Sequence, residues 1–461
     1  MRGSQGGAFA NSCVLPFERA FRTIKANRCY HHHNKTAPDI GHNTCNELIM
    51  RGKSSHILGA VAFIVFVDML GIGLILPVMP RLIGEIAQTG LDRSAEIGGL
   101  LTFAYAGMQF LCAPFIGGLS DRFGRRPVLL TTLFLLALDY AVMAWAPTLA
   151  WLVPGRMISG IMGASWAAAN SCIADCIPAE RRGAAFGMLG GAGAAGFVLG
   201  PALGGIAGEI GTRAPFIIAA SLAGLGVIGG PVFLRETLPT ERRRAFDLAR
   251  ANPLGSLIQM ARTPFVLSCL GVAFFMQLAA QAQMSIWAYW GELQFGWSPM
   301  VSGLTVSFYG VLIGTAQAVL TGKSIARFGA ANTARYSLLL GIPCYLLLAF
   351  ATGTPMVIAA IMVGALTGMT FPAMQGLMTV RVSEDAQGEL QGAIASTVSL
   401  TSIIGPVMMT QIFGHFADDV GIFFPGAPYL VSLALLVVAI GLLWRTMGGQ
   451  RSAAVPLAGA E

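Results

Sequence analysis

From residue 56 onward the chain consists of apolar runs about twenty residues long, separated by short polar turns, and such runs leave few folds open. They cover 56–77, 96–118, 127–146, 149–173, 184–208, 214–234, 264–290, 300–321, 333–352, 355–378, 389–413 and 426–444. Each is continuously apolar, as a membrane-crossing helix requires, whereas strands of a membrane barrel alternate over about ten residues. Charge is scarce at 11% of residues, less than half of the roughly 25% typical of a soluble domain. The expected fold is an all-α integral membrane protein with twelve transmembrane helices.

Lys and Arg are unevenly shared among the turns. Of the 23 from Met50 onward, only Arg81, Arg93, Arg156 and Arg213 fall on the side opposite the start of the first run, or in that half of the bilayer. The positive-inside rule then predicts an inner-membrane protein with both termini in the cytoplasm. The net charge of +7 is therefore a topological signal and not a nucleic-acid surface. Cys112, Cys172, Cys269 and Cys344 lie in apolar runs, Cys176 in a cytoplasmic turn, and Cys13, Cys29 and Cys45 ahead of the first run. They form no disulfide framework and are expected to be reduced. Residues 1–55 read as a cytoplasmic tail without stable structure, whose Cys29, His31, His32, His33, His42 and Cys45 lack regular ligand spacing and predict no metal site. Met50, followed by Arg51 and Lys53, reads as a natural start directly before the first run.

The chain also repeats itself. GGLSDRFGRRP (117–127) closes the second run and GKSIARFGAAN (322–332) closes the eighth, so RFG recurs six runs later. GFVLGP (196–201) in the fifth run is echoed by TSIIGP (401–406) in the eleventh. The expected organisation is a six-helix half at 56–234, a cytoplasmic central loop at 235–263 bearing Arg242, Arg243 and Arg244, a pseudo-symmetric six-helix half at 264–446 and a cytoplasmic tail at 447–461. Repeated halves around a midplane site are how secondary transporters build alternating access.

GGLSDRFGRRP is similar to the loop signature of the major facilitator superfamily, and GRMISGIMGA (155–164) and GFVLGPALGG (196–205) resemble its fourth-span and antiporter motifs. More closely, VDMLGIGLILPVMP (67–80), MQFLCAP (108–114), SDRFGRRPVLL (120–130), LDY (138–140), LLAFAT (347–352), LQG (390–392) and SLTSIIGP (399–406) resemble the tetracycline-efflux family of twelve-span drug/proton antiporters. These segments fall in the family's order over about residues 56–445. The resemblance implies a monomeric exporter of tetracycline or another drug-like amphiphile, driven by the proton gradient without a cofactor.

Charges inside apolar runs point to the coupling machinery, because each costs about 2.5–3.5 kcal/mol at a span centre. Asp68 and Asp139 sit about twelve residues into the parallel first and third runs, and Arg156 about seven into the fourth, at depths that a long side chain can bridge. Two acids facing one base leave a carboxylate imperfectly paired and able to carry a proton. In the loop after the second run, topology accounts for the arginines but not for Asp121, Gly117 or Gly124. Asp121 beside Arg125, with Asp175 at the cytoplasmic end of the fourth run and Arg122 and Arg126 alongside, is expected to form a charge cluster that locks the inner gate when the transporter faces outward. The resemblance implies that Asp121, Arg125 and Asp175 act together.

Gly196, Gly200, Gly204 and Gly208 recur every four residues, so they share a helix face that another helix can approach closely; Gly205 lies beside them, and Pro201 predicts a kink. The resemblance assigns this stretch to the exporter form of the motif. Candidate substrate contacts are Gln109, Ser165, Trp166, Asn170, Gln277, Gln281, Trp287, Gln317 and Gln375. Gly163, Ala164, Ser165 and Trp166 stand where the resembling family has Gly-Ala-Thr-Gly, and Met162, Gly314 and Gly341 replace its threonine, histidine and aspartate. Fewer titratable groups and added bulk predict an apolar or aromatic substrate in place of a metal-chelated drug. No nucleophile–base constellation or phosphate loop occurs, so the chain is not read as an enzyme. A proton-coupled metabolite or sugar symporter and a non-transporting membrane sensor are the alternative readings.

Overall fold

The computed structural model describes residues 40–163, 165–243, 260, 263–383, 386–418 and 421–453. The tail's cysteine and histidine side chains, Ala164 and Arg244 lie outside the described residues. Helices dominate, and no strand occurs among the described residues. Before the central segment run α1 (Ile40–Ile75), α2 (Met79–Ala87), α3 (Leu91–Phe123), α4 (Arg125–Trp145), α5 (Leu149–Met162), α6 (Ser165–Cys176), α7 (Ala179–Ile210) and α8 (Ala214–Phe233). After it come α9 (Pro264–Phe295), α10 (Pro299–Thr315), α11 (Thr321–Phe328), α12 (Ala330–Leu339) and α13 (Gly341–Ala349). The remainder are α14 (Thr354–Ala365), α15 (Thr370–Thr379), α16 (Gln387–Ala417) and α17 (Ala427–Ala453).

Among the described residues, ten helical stretches are long and apolar enough to cross a membrane. The expected span 149–173 is described as α5 and α6 on either side of Ala164. The expected span 333–352 divides into α12 and α13 at Leu340, where a continuous helix was expected. Pro343 has no N–H to donate back to the preceding turn, which accounts for that break. α1 begins at Ile40, ahead of the expected entry at residue 56, and its crossing section is Ile57–Ile75. The short amphipathic α2 was not anticipated. Proline in the first turn of α9, α10 and α14 suits positions with no helical acceptor to serve.

Two hydrophobic cores result. One gathers buried residues from Val61 to Leu234, the other residues from Met260 to Met447 together with Ala95. Large apolar side chains such as Leu225, Ile228 and Val232 are exposed, as expected where hydrocarbon is the solvent. The cores touch through α3 against α16 and α7 against α10. Glycine sets those separations: a Cβ on Gly99 would strike Thr410, and one on Gly205 would lie 2.9 Å from the Met300 Cα. α7 also presses on α1, where a Cβ at Gly200 would lie 2.7 Å from the Gly73 Cα, and Gly196 and Gly204 meet the α1 backbone in the same way. Pro201 packs against Gly73, and Gly208 against Val78 and Pro299.

These contacts between cores lie at the end of the bundle where Arg81 of α2 pairs with Glu292 of α9 at 3.4 Å. There too the Glu209 carboxylate accepts the Met300 N–H at the start of α10, at 3.2 Å. At the opposite end, Gly117, Gly183, Gly187, Gly190, Gly322 and Gly388 all face open space.

Candidate functional site

The three charges of the membrane interior do not form a single cluster. Arg156 Nη2 reaches Asp139 Oδ2 at 3.1 Å, and Ser159 on the same helix donates a short hydrogen bond to that oxygen. The Asp139 side chain is fully buried, and its Oδ1 has no hydrogen-bond partner. Gly155 makes room for it, since a Cβ there would lie 2.6 Å from Oδ1. The Arg156 guanidinium also lies 5.9 Å from the Tyr105 ring centroid, a cation–π distance.

Asp68 is buried on α1 and takes its hydrogen bond from Ser165 Oγ at 3.1 Å, not from Arg156. Beside it is a void of about 10 Å³, bounded by Ile64, Thr132, Leu133, Leu136, Met162 and Ser165. That volume is close to what one water molecule needs. The two carboxylates therefore differ: Asp139 is ion-paired, while Asp68 has no cationic partner and borders a water-sized opening.

At the end of the bundle opposite Glu292, Arg125 is buried and bound on three sides. Its Nη1 meets Asp121 Oδ1 at 2.6 Å and Ser120 Oγ at 3.0 Å, and its Nε meets Asp175 Oδ2 at 2.9 Å. Gly124 turns the chain between α3 and α4 at φ 104°, a region that favours glycine. With no side chain at this N-cap, the cap comes from elsewhere. Glu236, beyond α8, accepts the N–H groups of Arg125 and Arg126 at 2.9 and 3.2 Å, placing a carboxylate on the positive end of α4. Arg126 donates to the Pro231 carbonyl at 2.9 Å, and Arg122 lies over the Phe123 ring at 5.2 Å. Gly117 stands one helical turn before Asp121.

The largest cavity, about 430 Å³, opens within the second core and against α7. Gln277 and Gln281 of α9, Gln317, Tyr309 of α10, Tyr345 of α13 and Phe371 of α15 line it, as do Gly314 and Gly341. No Asp, Glu, Lys or Arg does so. Gln281 donates to Ser402 Oγ at 3.4 Å, and Gln317 to the Gly368 carbonyl at 3.3 Å. Gln317 lies on a π-helical turn (Ala316–Leu320) and Gly368 on a 3₁₀ turn (Leu366–Met369), so both helices are irregular where they meet at the cavity wall.

The other sequence candidates sit elsewhere. Gln109 donates to the Gly163 carbonyl at 3.2 Å, satisfying an acceptor at the end of α5. Trp166 packs over Gly193 and Val65, and Asn170 is half-buried one helical turn further on. Trp287 belongs to an aromatic cluster with Trp290 and Trp297, donates to Thr305 Oγ1 at 3.0 Å and borders a separate cavity of about 70 Å³. Gln375 is half-buried and donates to Gln391 at 3.0 Å. Sequence reasoning missed Ser120, Glu236, Tyr309, Tyr345 and Phe371. The cavity aromatics carry no signal apart from the ordinary apolar pattern of their spans.

Known proteins match this architecture along nearly its whole length. The Major Facilitator Superfamily profile matches residues 61–406 and 271–454. The class C tetracycline resistance protein of Escherichia coli is 39% identical over 85% of this chain and 98% of its own length. The class G protein of Vibrio anguillarum is 35% identical over the same shares. Among solved structures, a bacterial homolog of the human lysosomal transporter Spinster superposes with a TM-score of 0.70 at 17% identity, covering 88% of this chain and 99% of its own. Fold, length and sequence agree: this chain is a multi-pass membrane protein that belongs to the Major Facilitator Superfamily and, within it, to the tetracycline-efflux family.

Proposed function

We propose that the protein exports a small, uncharged or weakly polar amphiphile from the cytoplasm in exchange for protons, by alternating access. The observation that carries this reading is the separation of Asp68, a buried carboxylate beside a small void, from a large cavity lined only by uncharged side chains. Asp68 is the proton carrier, and the Asp139–Arg156 pair fixes the helices around it. The Asp121–Arg125–Asp175 cluster, with Glu236, Arg122, Arg126, Gly117 and Gly124, forms the cytoplasmic gate.

Counting α5–α6 and α12–α13 as one span each raises the ten crossing stretches to twelve, in halves at 56–234 and 264–446 joined by the 235–263 loop. Both termini then lie in the cytoplasm of a monomer that uses the proton gradient and no cofactor. The contacts of α7 with α10 and of α3 with α16, set by Gly205 and Gly99, close the periplasmic end. Gln277, Gln281, Gln317, Tyr309, Tyr345 and Phe371 contact the substrate with amides and rings.

Everted membrane vesicles with a fluorescent proton-gradient reporter test this. Lipophilic aromatic amphiphiles should dissipate the gradient in vesicles holding the protein, and the Asp68→Asn variant, inserted to the same level, should not respond. A response confined to tetracycline would overturn the substrate class, and a full response in Asp68→Asn would overturn the proton carrier.

A further inference from the structure

Cys172 and Cys176 stand four residues apart on α6, so their side chains are neighbours on one face. The Cys172 thiol donates to the Cys176 sulfur, and the Thr237 hydroxyl donates to Cys172 Sγ at 3.6 Å. Both cysteines line one void with Ile57, Leu58 and Val61 of α1 and Ile173 of α6, and it is too small to admit a water molecule. Cys172 is fully buried, while Cys176, the last residue of α6, is half-buried. The transport reading uses neither thiol.

The geometry limits what can join the two sulfurs. A disulfide needs Cβ atoms about 3.5–4.5 Å apart, whereas residues four apart on a helix hold theirs about 5–6 Å apart. The helix would have to deform. A structural zinc ion asks for four ligands, and among the described residues no group of three or more His, Cys, Asp or Glu side chains is placed to hold a metal ion. Asp175, the nearby acid, is committed to Arg125. A single soft atom that bridges two sulfurs and needs no further protein ligand meets the geometry. The apolar walls add a second condition, because an adduct with a net charge is costly to bury there. A monovalent ion on two thiolates keeps a negative charge, and a linear divalent ion has to drive the hydrogen-bonded sulfurs apart. Trivalent arsenic satisfies both conditions: it is pyramidal, holds two sulfurs on one side, and brings its own third substituent.

We propose that Cys172 and Cys176 form a dithiol site for trivalent organoarsenicals. With an arylarsonous acid, two S–H and two As–O bonds break, two As–S and two O–H bonds form, and two water molecules leave. Arsenic stays trivalent and no oxidant is needed. Cys176 reacts first from its accessible side, and Cys172 then closes the ring in an intramolecular step at high effective concentration. The aryl group stays on the side by which the reagent entered.

The site lies against the charges read above as the cytoplasmic gate, and its consequence for transport rests on that reading. Asp175, just before Cys176, accepts from Arg125 Nε at 2.9 Å. Glu236, just before Thr237, accepts the first N–H groups of α4. A ring across Cys172 and Cys176 locks the last turn of α6 and displaces the Thr237 hydroxyl, so occupation slows transport.

The test uses the full chain in everted membrane vesicles, with Cys13, Cys29 and Cys45 replaced by serine so that these thiols do not compete. The probe is phenylarsine oxide, which hydrates to the arylarsonous acid. Intact-mass measurement should find one phenylarsenic group per chain, removed by dimercaptopropanol but not by mercaptoethanol at the same thiol concentration. The adduct should be absent in Cys176→Ser and, separately, in Cys172→Ser. Proton-coupled transport should fall several-fold on loading and return when dimercaptopropanol is added, and Cys176→Ser should show no such inhibition.

An adduct that survives in either single variant overturns the site, as does one that the monothiol strips as readily as the dithiol. A site that loads without slowing transport overturns its link to the gate. Transport absent before any arsenical is added counts against the export reading alone, since the mass measurement does not depend on it.

Discussion

The two cores bury different chemistry. Among the described residues, the charged side chains that are buried, Asp68, Arg125 and Asp139, all belong to the helices before the central segment. The helices after it bury Gln283, Ser302, Thr305, Ser337, Thr370, Thr401 and other uncharged polar groups. Charge inside a bilayer is costly and hydroxyls are cheap, so the asymmetry marks a division of labour. On the reading proposed above, one half stores and moves protons, and the other offers a neutral, aromatic surface to a ligand.

The largest effect should come from breaking the ion pair of the charged half. Arg156→Met leaves Asp139 buried with one oxygen already unpartnered, and removing one member of a buried pair costs about 3–5 kcal/mol. The thermal midpoint of the purified protein should fall sharply. Adding Asp139→Asn to Arg156→Met removes the stranded charge and should recover most of that loss. A double variant as unstable as Arg156→Met would show that the arginine stabilises by packing alone.

The next effect probes the neutral half by importing a charge. Gly314 borders the large cavity and has open space where a side chain would begin, so Gly314→Glu fits sterically. On insertion scales a charge at a span centre costs about 2.5–3.5 kcal/mol, and a carboxylate facing a cavity that water can enter costs less. Cationic amphiphiles should gain in transport relative to neutral ones of the same size. Gly341 is a poorer host, since a Cβ there would lie 2.6 Å from a Leu436 methyl. An unchanged ratio of cationic to neutral transport in Gly314→Glu would mean that the cavity does not set charge preference.

Which of these features were legible beforehand follows from how local they are. Span positions were, because continuous apolarity is a property of neighbouring residues. The pairing of Arg156 with Asp139 was foreseeable from depth along the helices. Depth does not give the direction in which a side chain points, however, and Asp68 turned instead to Ser165. The bond from Gln109 to the Gly163 carbonyl was hidden too, because its partners lie 54 residues apart. The partners of Trp287 and Gln375, Thr305 and Gln391, were likewise out of reach of the local pattern, since each lies on another helix.

The smallest predicted effect concerns a residue that the sequence gave no reason to notice. Glu236 lies 111 residues after Arg125, yet its carboxylate takes the first two N–H groups of α4 and also the Leu238 N–H at 3.0 Å. Gly124 must stay small there, because a Cβ would run into the Glu236 carboxylate. Glu236→Gln keeps the shape and one acceptor oxygen but loses the charge that faces the helix dipole, worth about 0.3–1 kcal/mol at a partly exposed site. The thermal midpoint should drop by only a few degrees. Transport should slow by a few fold, because Arg125 and Arg126 are held less firmly for gating. Substrate affinity, set in the other half, should not move. High salt should shrink the difference between Glu236→Gln and wild type, since exposed charge–dipole terms are screened. A variant that loses affinity while keeping its turnover would show that the two halves are less separate than their buried charges suggest.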